Sequence, residues 1–412
     1  MIDMENQISF IHAADLHLDS PFKGLANLPE HIFQDIREST FTALDRLVKT
    51  AIAKKVDFVL ISGDLFDNEK QSLKAQIRLR HAFESLKEYH INVYLSYGNH
   101  DYIKGNIHPV TYPDNVFIFP DEKISQFTYI TDEKQMAAIY GFSYENRAVL
   151  ANKALEYQIT EHHIPFHIAL LHGSIASNTQ HDVYAPFQLS DLVNRNFDYW
   201  ALGHIHQREI LKEDPPVVYP GNIQGRNRKE IGEKGCYHVI LSEINTEMTF
   251  IPLQAIQFQT ITIDVSACLE VHQIELKIEA VLKGQQSQIQ PQLIQLTLVS
   301  DSPTLKQWDR ESYLEDIIEL VNESFIHHEN WSYIFKYTIQ MKNSSLDQSI
   351  YKGEHFIGEL AQHFEQASIQ PFIKELYHQK QVRKYIDPLT KEEEQTIKQE
   401  AQQMLLAELL KD

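Results

Sequence analysis

Five short polar clusters in this sequence each follow a run of apolar residues of about strand length. They are built mainly from aspartate, asparagine, histidine and glycine. The clusters are Asp15-Leu16-His17, Gly63-Asp64-Leu65-Phe66-Asp67, Gly98-Asn99-His100-Asp101, His172-Gly173 and Gly203-His204-Ile205-His206. In open α/β sheets, ligands bind beyond the carboxyl ends of the strands. Five such ends could therefore converge on one site.

The residue types in these clusters are those of metal ligands. Asp15 and His17 are two positions apart, so on an extended segment their side chains can point to the same side and chelate one ion. His204 and His206 have the same spacing and could also share an ion. The carboxylate of Asp64 has two oxygens and can bridge two ions.

Asn99 adds a neutral carbonyl oxygen to this set. Imidazole, carboxylate and amide ligands without thiolate favour Mn²⁺, Fe²⁺ or Zn²⁺ over a structural zinc site with cysteine ligands. Two ions about 3.5–4 Å apart can clamp a phosphate and convert a bridging water into hydroxide near neutral pH. Singly, Asp15, Asp64 and Asn99 could be simple turn formers, but together with four histidines they predict a metal site for phosphoester hydrolysis.

Strands that alternate with helices must position these clusters. Apolar runs of strand length lie at 8–14, 56–61, 91–97, 116–119, 137–142, 166–171 and 199–202, and helical patterns lie near 29–51, 71–90 and 187–195. This alternation favours an α/β domain, and continuous apolar runs are typical of strands covered on both faces. Further strands are predicted at 237–241, 247–253 and 258–265.

The remainder of the chain predicts a smaller α+β domain and a helical segment. The pattern after 258 continues as helix, strand, helix and strand at 271–283, 292–299, 311–325 and 332–341. We therefore expect three parts, at 1–255, 256–345 and 346–412. The last helix has an apolar stripe that could dock a partner or pack on its own domain. The stripe consists of Ile397, Ala401, Met404, Leu405 and Leu409.

Composition restricts the function. The 412 residues include 37 Lys and Arg against 57 Asp and Glu, a net charge of −20 with histidines neutral. Nucleic-acid-binding domains are usually basic, so such a role here needs a local patch, metal ions or a partner. The basic residues Arg226, Arg228 and Lys229 form one such patch, which could contact a phosphate backbone or be a solvated charged loop.

Membrane and secreted classes are disfavoured. The longest apolar runs are far shorter than the roughly 20 residues of a membrane helix, and the first residues lack a basic region followed by an apolar one. Cys236 and Cys268 are too few for a disulfide framework. These features predict a cytoplasmic protein that does not enter a membrane.

The ordered set of clusters resembles the calcineurin-like metallophosphoesterases. Asp-Leu-His-Leu-Asp-Ser-Pro-Phe at 15–22, Gly-Asp-Leu-Phe-Asp at 63–67 and Gly-Asn-His-Asp at 98–101 are similar to motifs of the SbcD-type DNA repair nucleases, in particular the bacterial YhaO branch. The motifs extend over 15–206. The resemblance implies a sandwich of two β-sheets flanked by helices, followed by a small α+β capping domain and a helical C-terminal tail.

The resemblance also implies roles for individual residues. One ion would be held by Asp15, His17, Asp64 and His206, and the other by Asp64, Asn99, His172 and His204. His100 would contact the scissile phosphate and protonate the leaving oxygen, and Asp101 would orient it. Asp67 stands where some archaeal and eukaryotic relatives carry a histidine, so the role of that histidine does not transfer.

These implications predict a Mn²⁺-dependent DNA exonuclease and endonuclease of repair or recombination, with Fe²⁺, Zn²⁺ or Mg²⁺ as alternative ions. A coiled-coil ATPase of the SbcC type and a second copy of the chain are the expected partners. A phosphodiesterase or phosphatase for small nucleotides would use the same metals. A catalytically idle scaffold for an ATPase is the third alternative, and the complete ligand set argues against it.

Overall fold

The structure is a computed structural model that describes residues 6–342 apart from 23–24, 26–27, 68–70, 106–109, 177–183 and 285–289, with scattered residues beyond 342. Most of the predicted segment 346–412, including most of its apolar stripe, lies outside the described residues. No helix within the described part of the chain is long and apolar enough to cross a membrane.

Strands and helices alternate along the first half of the chain, as the sequence predicts. The strands are β1 (Gln7–Ala13), β2 (Phe58–Ser62), β3 (Asn92–Ser96), β4 (Val116–Ile118), β5 (Ser125–Thr131), β6 (Lys134–Gly141), β7 (Phe166–His172), β8 (Tyr199–Gly203), β9 (Glu209–Glu213), β10 (Pro216–Tyr219), β11 (Gly235–Ser242), β12 (Thr246–Pro252), β13 (Gln257–Asp264), β14 (Gln292–Ser300) and β15 (Ser332–Met341). The helices are α1 (Glu30–Lys54), α2 (Leu73–Glu88), α3 (Leu189–Val193), α4 (His272–Gly284), α5 (Thr304–Arg310) and α6 (Tyr313–Phe325).

Two six-stranded mixed sheets carry the ligand-bearing clusters. The first has the order β12-β11-β1-β2-β3-β4, in which β1 to β4 are parallel neighbours. The second has the order β5-β6-β7-β8-β10-β9, in which β6, β7, β8 and β10 are parallel. Because parallel neighbours run in one direction, β1, β2 and β3 end at one edge of their sheet, and β7 and β8 end at one edge of theirs.

The two sheets share an aromatic core. Phe10 of β1 stacks on Phe58 of β2 with ring centroids 5.3 Å apart, and Tyr199 of β8 meets Phe10 edge to face at 5.2 Å. The outer face of the first sheet is covered by α1 and α2, and that of the second by residues such as Tyr157 and Phe197. Both faces of each sheet are therefore apolar, which explains the continuous apolar runs of β2 and β7.

The predicted α/β sandwich of two β-sheets flanked by helices is confirmed. The sequence patterns do not predict β5, β9 and β10. β5 and β9 are edge strands with many polar or partly exposed residues, and β10 has only four residues and begins at Pro216. Edge strands do not need the buried apolar run by which inner strands are identified in sequence.

The chain divides into two compact units. The first consists of Met1–Pro21, Pro29–Gln259 and Gln290–Leu293, and the second of Phe22–Leu28, Thr260–Ile289 and Ile294–Asp412. In the second unit, α4 and α6 pack on the sheet β13-β14-β15 through a core of aliphatic side chains. Its elements follow the predicted order of strand and helix, and the short helix α5 is an addition.

Candidate metal centre

The polar clusters of the sequence meet where the parallel strands end. Asp15 follows β1, Asp64 follows β2 and Asn99 follows β3, while His172 ends β7 and His204 follows β8. The backbone N–H of Asp15 donates to the carbonyl of Gly63 at 3.2 Å, which holds the first two turns side by side. Asp15 and Asp64 have φ values of 52° and 52°, in the left-handed region that non-glycine residues rarely adopt.

One group of donors surrounds His17. Its Nε2 lies 3.0 Å from Nε2 of His206 and 3.9 Å from Oδ1 of Asp15. Oδ1 of Asp15 is also 3.9 Å from Nε2 of His206, and Oδ2 of Asp64 is 3.8 Å from Nε2 of His17. These four residues are the ones that the family resemblance implies as ligands of one ion.

A second group of donors surrounds His172. Its Nε2 lies 3.0 Å from Oδ1 of Asn99 and 3.4 Å from Oδ2 of Asp64. Nδ1 of His204 is 3.2 Å from the same oxygen of Asn99. Asp64 is therefore the carboxylate that borders both groups, and it is almost completely buried.

The geometry around His172 suits a positive centre. Its Nδ1 lies 2.9 Å from the carbonyl of Ser62, and because a carbonyl only accepts, this nitrogen carries the proton. In the neutral ring, Nε2 then presents a lone pair to two further acceptors, Asn99 and Asp64. A metal ion among these atoms would satisfy the imidazole, the carboxylate and the amide oxygen together, so the donor set fits a divalent cation.

A glycine leaves space for this cluster. A Cβ atom at Gly98 would lie 2.8 Å from Nε2 of His172 and closer still to Oδ1 of Asp64. A larger residue would therefore displace the two side chains that border the proposed cation position.

Burial and mutual charge shift the titration of the ligands. Burial raises the pKa of Asp15. Burial also opposes ionisation of Asp64, but His172, His100 and His17 together outweigh it and hold the pKa of Asp64 well below its usual value. Burial disfavours the charged form of His172, yet Asp64 and Asp15 raise its pKa to about 9. Burial and Arg226 lower the pKa of His17, which keeps this ring neutral, as a metal ligand must be.

The structure places His100 beside the first group. Its backbone N–H donates to Oδ1 of Asp64 at 2.9 Å, and its Nδ1 lies 2.8 Å from the carbonyl of Asp67. Its ring meets the ring of His17 edge to face at 5.1 Å. Because Nδ1 donates to a carbonyl, Nε2 is the ring atom that can exchange a proton with a substrate.

The orienting contact on His100 differs from the prediction. The buried carboxylate of Asp101 accepts from the backbone N–H of Leu65 at 2.6 Å and of Gly98 at 2.7 Å. The imidazole is held by the Asp67 carbonyl instead. The structure thus uses Asp101 to join the turns after β2 and β3, because backbone N–H groups occupy both of its oxygens.

The predicted basic loop is partly buried. Arg226 forms ion pairs with Asp67 and, at 3.5 Å, with Glu230, and its side chain is 14% exposed. This differs from the open cationic loop of the prediction, because two carboxylates neutralise the guanidinium. In the same loop, Arg228 is partly exposed and Lys229 is exposed.

Glu230 is a residue of the site that the sequence patterns do not reveal. Its Oε1 lies 2.9 Å from Nδ1 of His206, and its Oε2 accepts from Nδ2 of Asn222 at 2.7 Å and from the backbone N–H of Arg226 at 2.8 Å. Burial opposes its ionisation, but Arg226 and His206 hold the pKa of Glu230 far below its usual value. Glu230 is therefore an ionised carboxylate beside Nδ1 of His206, a candidate metal ligand.

A sandwich of two mixed sheets with aspartate and histidine gathered at its strand ends is typical of metal-dependent hydrolases. The family model of the calcineurin-like phosphoesterases matches residues 8–208. The chain is 34% identical to the uncharacterised metallophosphoesterase YhaO of Bacillus subtilis over 407 residues, which are 98% of this chain and 99% of that protein. The chain belongs to the calcineurin-like metallophosphoesterase family, and the resemblance inferred from its motifs is confirmed.

More distant similarities extend over part of the chain. The DNA double-strand break repair protein Mre11 of Methanocaldococcus jannaschii is 26% identical over 244 residues, which cover 57% of this chain and 62% of that protein. The chain thus spans less than two thirds of that relative. A crystal structure of a dimetal phosphatase from Danio rerio matches 59% of this chain and 98% of that chain at 10% identity, with a TM-score of 0.32.

Proposed function

We propose that this metallophosphoesterase is a metal-dependent nuclease that hydrolyses phosphodiester bonds of DNA as an exonuclease and endonuclease, in repair or recombination. The observation that carries the proposal is the similarity over 244 residues to a DNA double-strand break repair protein. A second folded unit also follows the phosphoesterase unit. A small nucleotide substrate does not require such a unit, so the presence of the second unit favours a polymeric substrate.

The two donor groups would hold two divalent ions, with Mn²⁺ as the expected ion. One ion would be held by Asp15, His17 and His206, and the other by Asn99, His172 and His204. Asp64 would be a ligand shared by both ions. When bound, such ions act as Lewis acids on a phosphate and lower the pKa of a water molecule. The protein would supply the fixed geometry, because strand ends and buried turns hold every one of these side chains.

His100 would act on the leaving oxygen. The Asp67 carbonyl holds Nδ1, and the bond from the His100 backbone to Asp64 fixes the ring next to the donor groups. In its protonated form, Nε2 would donate to the scissile phosphate and pass its proton to the departing oxygen. Arg228 and Lys229 would contact the phosphate backbone of the DNA farther from the scissile bond.

A partner would compensate for the acidic balance of the chain. With a net charge of −20, DNA binding by the isolated chain is expected to be weak and sensitive to salt. We propose a coiled-coil ATPase of the SbcC type as the partner that supplies further DNA-binding surface. A homodimer would bring two such metal centres to one DNA.

The test is cleavage of labelled linear DNA beside a small chromogenic phosphodiester. Mn²⁺-dependent DNA cleavage that EDTA abolishes and that His100→Ala removes is the expected result. His163→Ala is the matched control, because this exposed imidazole contacts Gln135, outside the metal centre. Turnover of only the small diester, even with the ATPase added, would favour the small-nucleotide enzyme. Metal binding without any hydrolysis would favour the scaffold.

A further inference from the structure

A chain of partly buried charges lies beside His17 and His206. Arg226 stands at its middle and pairs with Asp67 on one side and Glu230 on the other. Oδ1 of Asp67 is 3.4 Å from Nδ1 of His17, and Oε1 of Glu230 is 2.9 Å from Nδ1 of His206. Each of the two facing histidines therefore has a carboxylate behind it, and one guanidinium connects the two carboxylates.

Nδ1 of His206 meets two groups that favour opposite tautomers. The Glu230 carboxylate only accepts, so this contact needs the proton on Nδ1. Nη2 of Arg226, at 3.1 Å from the same nitrogen, only donates, so that contact needs the proton on Nε2. A ring that binds metal through Nε2 must carry its proton on Nδ1. Only the Glu230 contact is compatible with a ligand.

We propose that Glu230 is a positioning residue that commits His206 to the tautomer of a metal ligand, and that Arg226, held by Asp67, keeps Glu230 in place. The inference deepens the proposed function and rests on its metal centre. Glu230 is suited to this task because its Oε2 accepts from Nδ2 of Asn222 and from the Arg226 backbone N–H, which leaves Oε1 directed at Nδ1 of His206. Carboxylates behind ligand histidines orient the ring and strengthen the metal bond.

Asp67 belongs to this support and not to a third ion. One donor atom each of His17, Asp67 and His100 lies within 4.8 Å of the others, which alone would suit a cation. The carboxylate of Asp67, however, is paired with the guanidinium of Arg226, and its carbonyl accepts from His100. A metal ion at this position would have to displace an internal positive charge.

The test compares Mn²⁺ binding by the wild-type chain, Glu230→Gln and Glu233→Gln. Glu233 is the matched control, because it lies on the same loop, is 52% exposed and pairs only loosely with Arg208 at 3.9 Å. Calorimetric titration should show two ions in the wild-type chain and in Glu233→Gln. Glu230→Gln should lower the affinity for one Mn²⁺ ion about 10- to 100-fold and leave the affinity for the other unchanged. Electron paramagnetic resonance should then show isolated Mn²⁺ in place of a coupled pair.

The outcomes separate the inference from the function on which it rests. If the wild-type chain binds no Mn²⁺, the proposed metal centre fails. If two ions bind and Glu230→Gln leaves both unchanged or weakens both equally, only the positioning role of Glu230 is overturned.

A second measurement needs no folded Glu230 variant. Histidine-labelled, metal-free protein at a pH above the usual pKa of histidine should show the His206 proton on Nδ1 in ¹H–¹⁵N spectra. His206→Gln identifies the signal. A proton found on Nε2 would overturn the inference.

Discussion

The two halves of the metal centre are built by different means. His172 is 1% exposed, and its Nδ1 donates to the backbone carbonyl of Ser62. The backbone carbonyl of His172 accepts from the hydroxyl of Tyr144 at 2.7 Å. The side chain of His206 is 21% exposed, and its Nδ1 meets a carboxylate of a charged loop, Glu230. One half is therefore held by the backbone of buried strands, and the other by ion pairs.

This difference determines how each half responds to a substitution. A backbone carbonyl cannot be removed by substitution, so the His172 half depends mainly on the sheet itself. The His206 half depends on charged side chains, and each of them can be altered without disturbing a strand. The half held by ion pairs should therefore be the one in which metal affinity can be tuned.

Loss of the residue shared by both halves should have the largest effect. Asp64→Asn removes the charge that borders both donor groups. We expect phosphodiester hydrolysis to fall on the order of 10,000-fold, because each ion contributes several kcal/mol. Steady-state turnover with Mn²⁺ measures this loss. Asp198→Asn removes a partly buried carboxylate at the opposite end of β8 and should keep most of the activity. Equal losses in the two variants would contradict the bridging role of Asp64.

His100→Ala should have the second largest effect on hydrolysis and should leave metal binding in both halves unchanged. Turnover should fall about 100- to 1,000-fold, because a positioned general acid is lost. Mn²⁺ affinity in a calorimetric titration should stay within about threefold of wild type, a change of less than 1 kcal/mol. A variant that loses one ion would instead make His100 a ligand.

A smaller, purely structural effect is expected behind the backbone-held half. Buried His12 donates from Nε2 to the carbonyl of Leu202 at 3.1 Å and accepts from the hydroxyl of Tyr199 at 3.0 Å. Burial lowers the pKa of His12 to about 3. Below pH 6.5, His12 binds a proton in the unfolded chain but stays neutral in the folded chain. The free energy of unfolding therefore decreases as the pH falls from 6.5 to about 3.

By pH 5 this residue should cost about 2 kcal/mol of the free energy of unfolding relative to pH 7. Urea denaturation of the wild-type chain and of His12→Gln, which does not titrate, measures the difference. The pH dependence should be shallower in the variant. Parallel curves for the two proteins would show that His12 already titrates in the folded state.

The half held by the backbone is also the half that sequence reasoning explains best. Asp64, Asn99 and His172 directly follow or end apolar strands, so neighbouring residues reveal their position. The parallel order of the strands then brings them together. Glu230 gives no such local indication, because it lies in a loop whose other charges are equally prominent. Its role depends on a tertiary contact with His206, 24 positions away in sequence.

The same limit applies to Arg226 and Asp101. Sequence shows a basic loop at Arg226, but its ion-pair partner Asp67 is 159 positions away. Asp101 is adjacent to His100, which favours a direct contact, yet its carboxylate turns to the backbone of Leu65 and Gly98. Residue type and spacing identify which groups gather, whereas the pairing among them is set by the packing of turns from different strands.

The most direct test of the two-ion centre is the location of bound ions by anomalous scattering from crystals soaked in Mn²⁺. Two peaks about 3.5–4 Å apart are expected, both in contact with Asp64. One peak should lie against His17 and His206, and the other against His172. A single peak, or a pair that Asp64 does not touch, would contradict this two-ion centre.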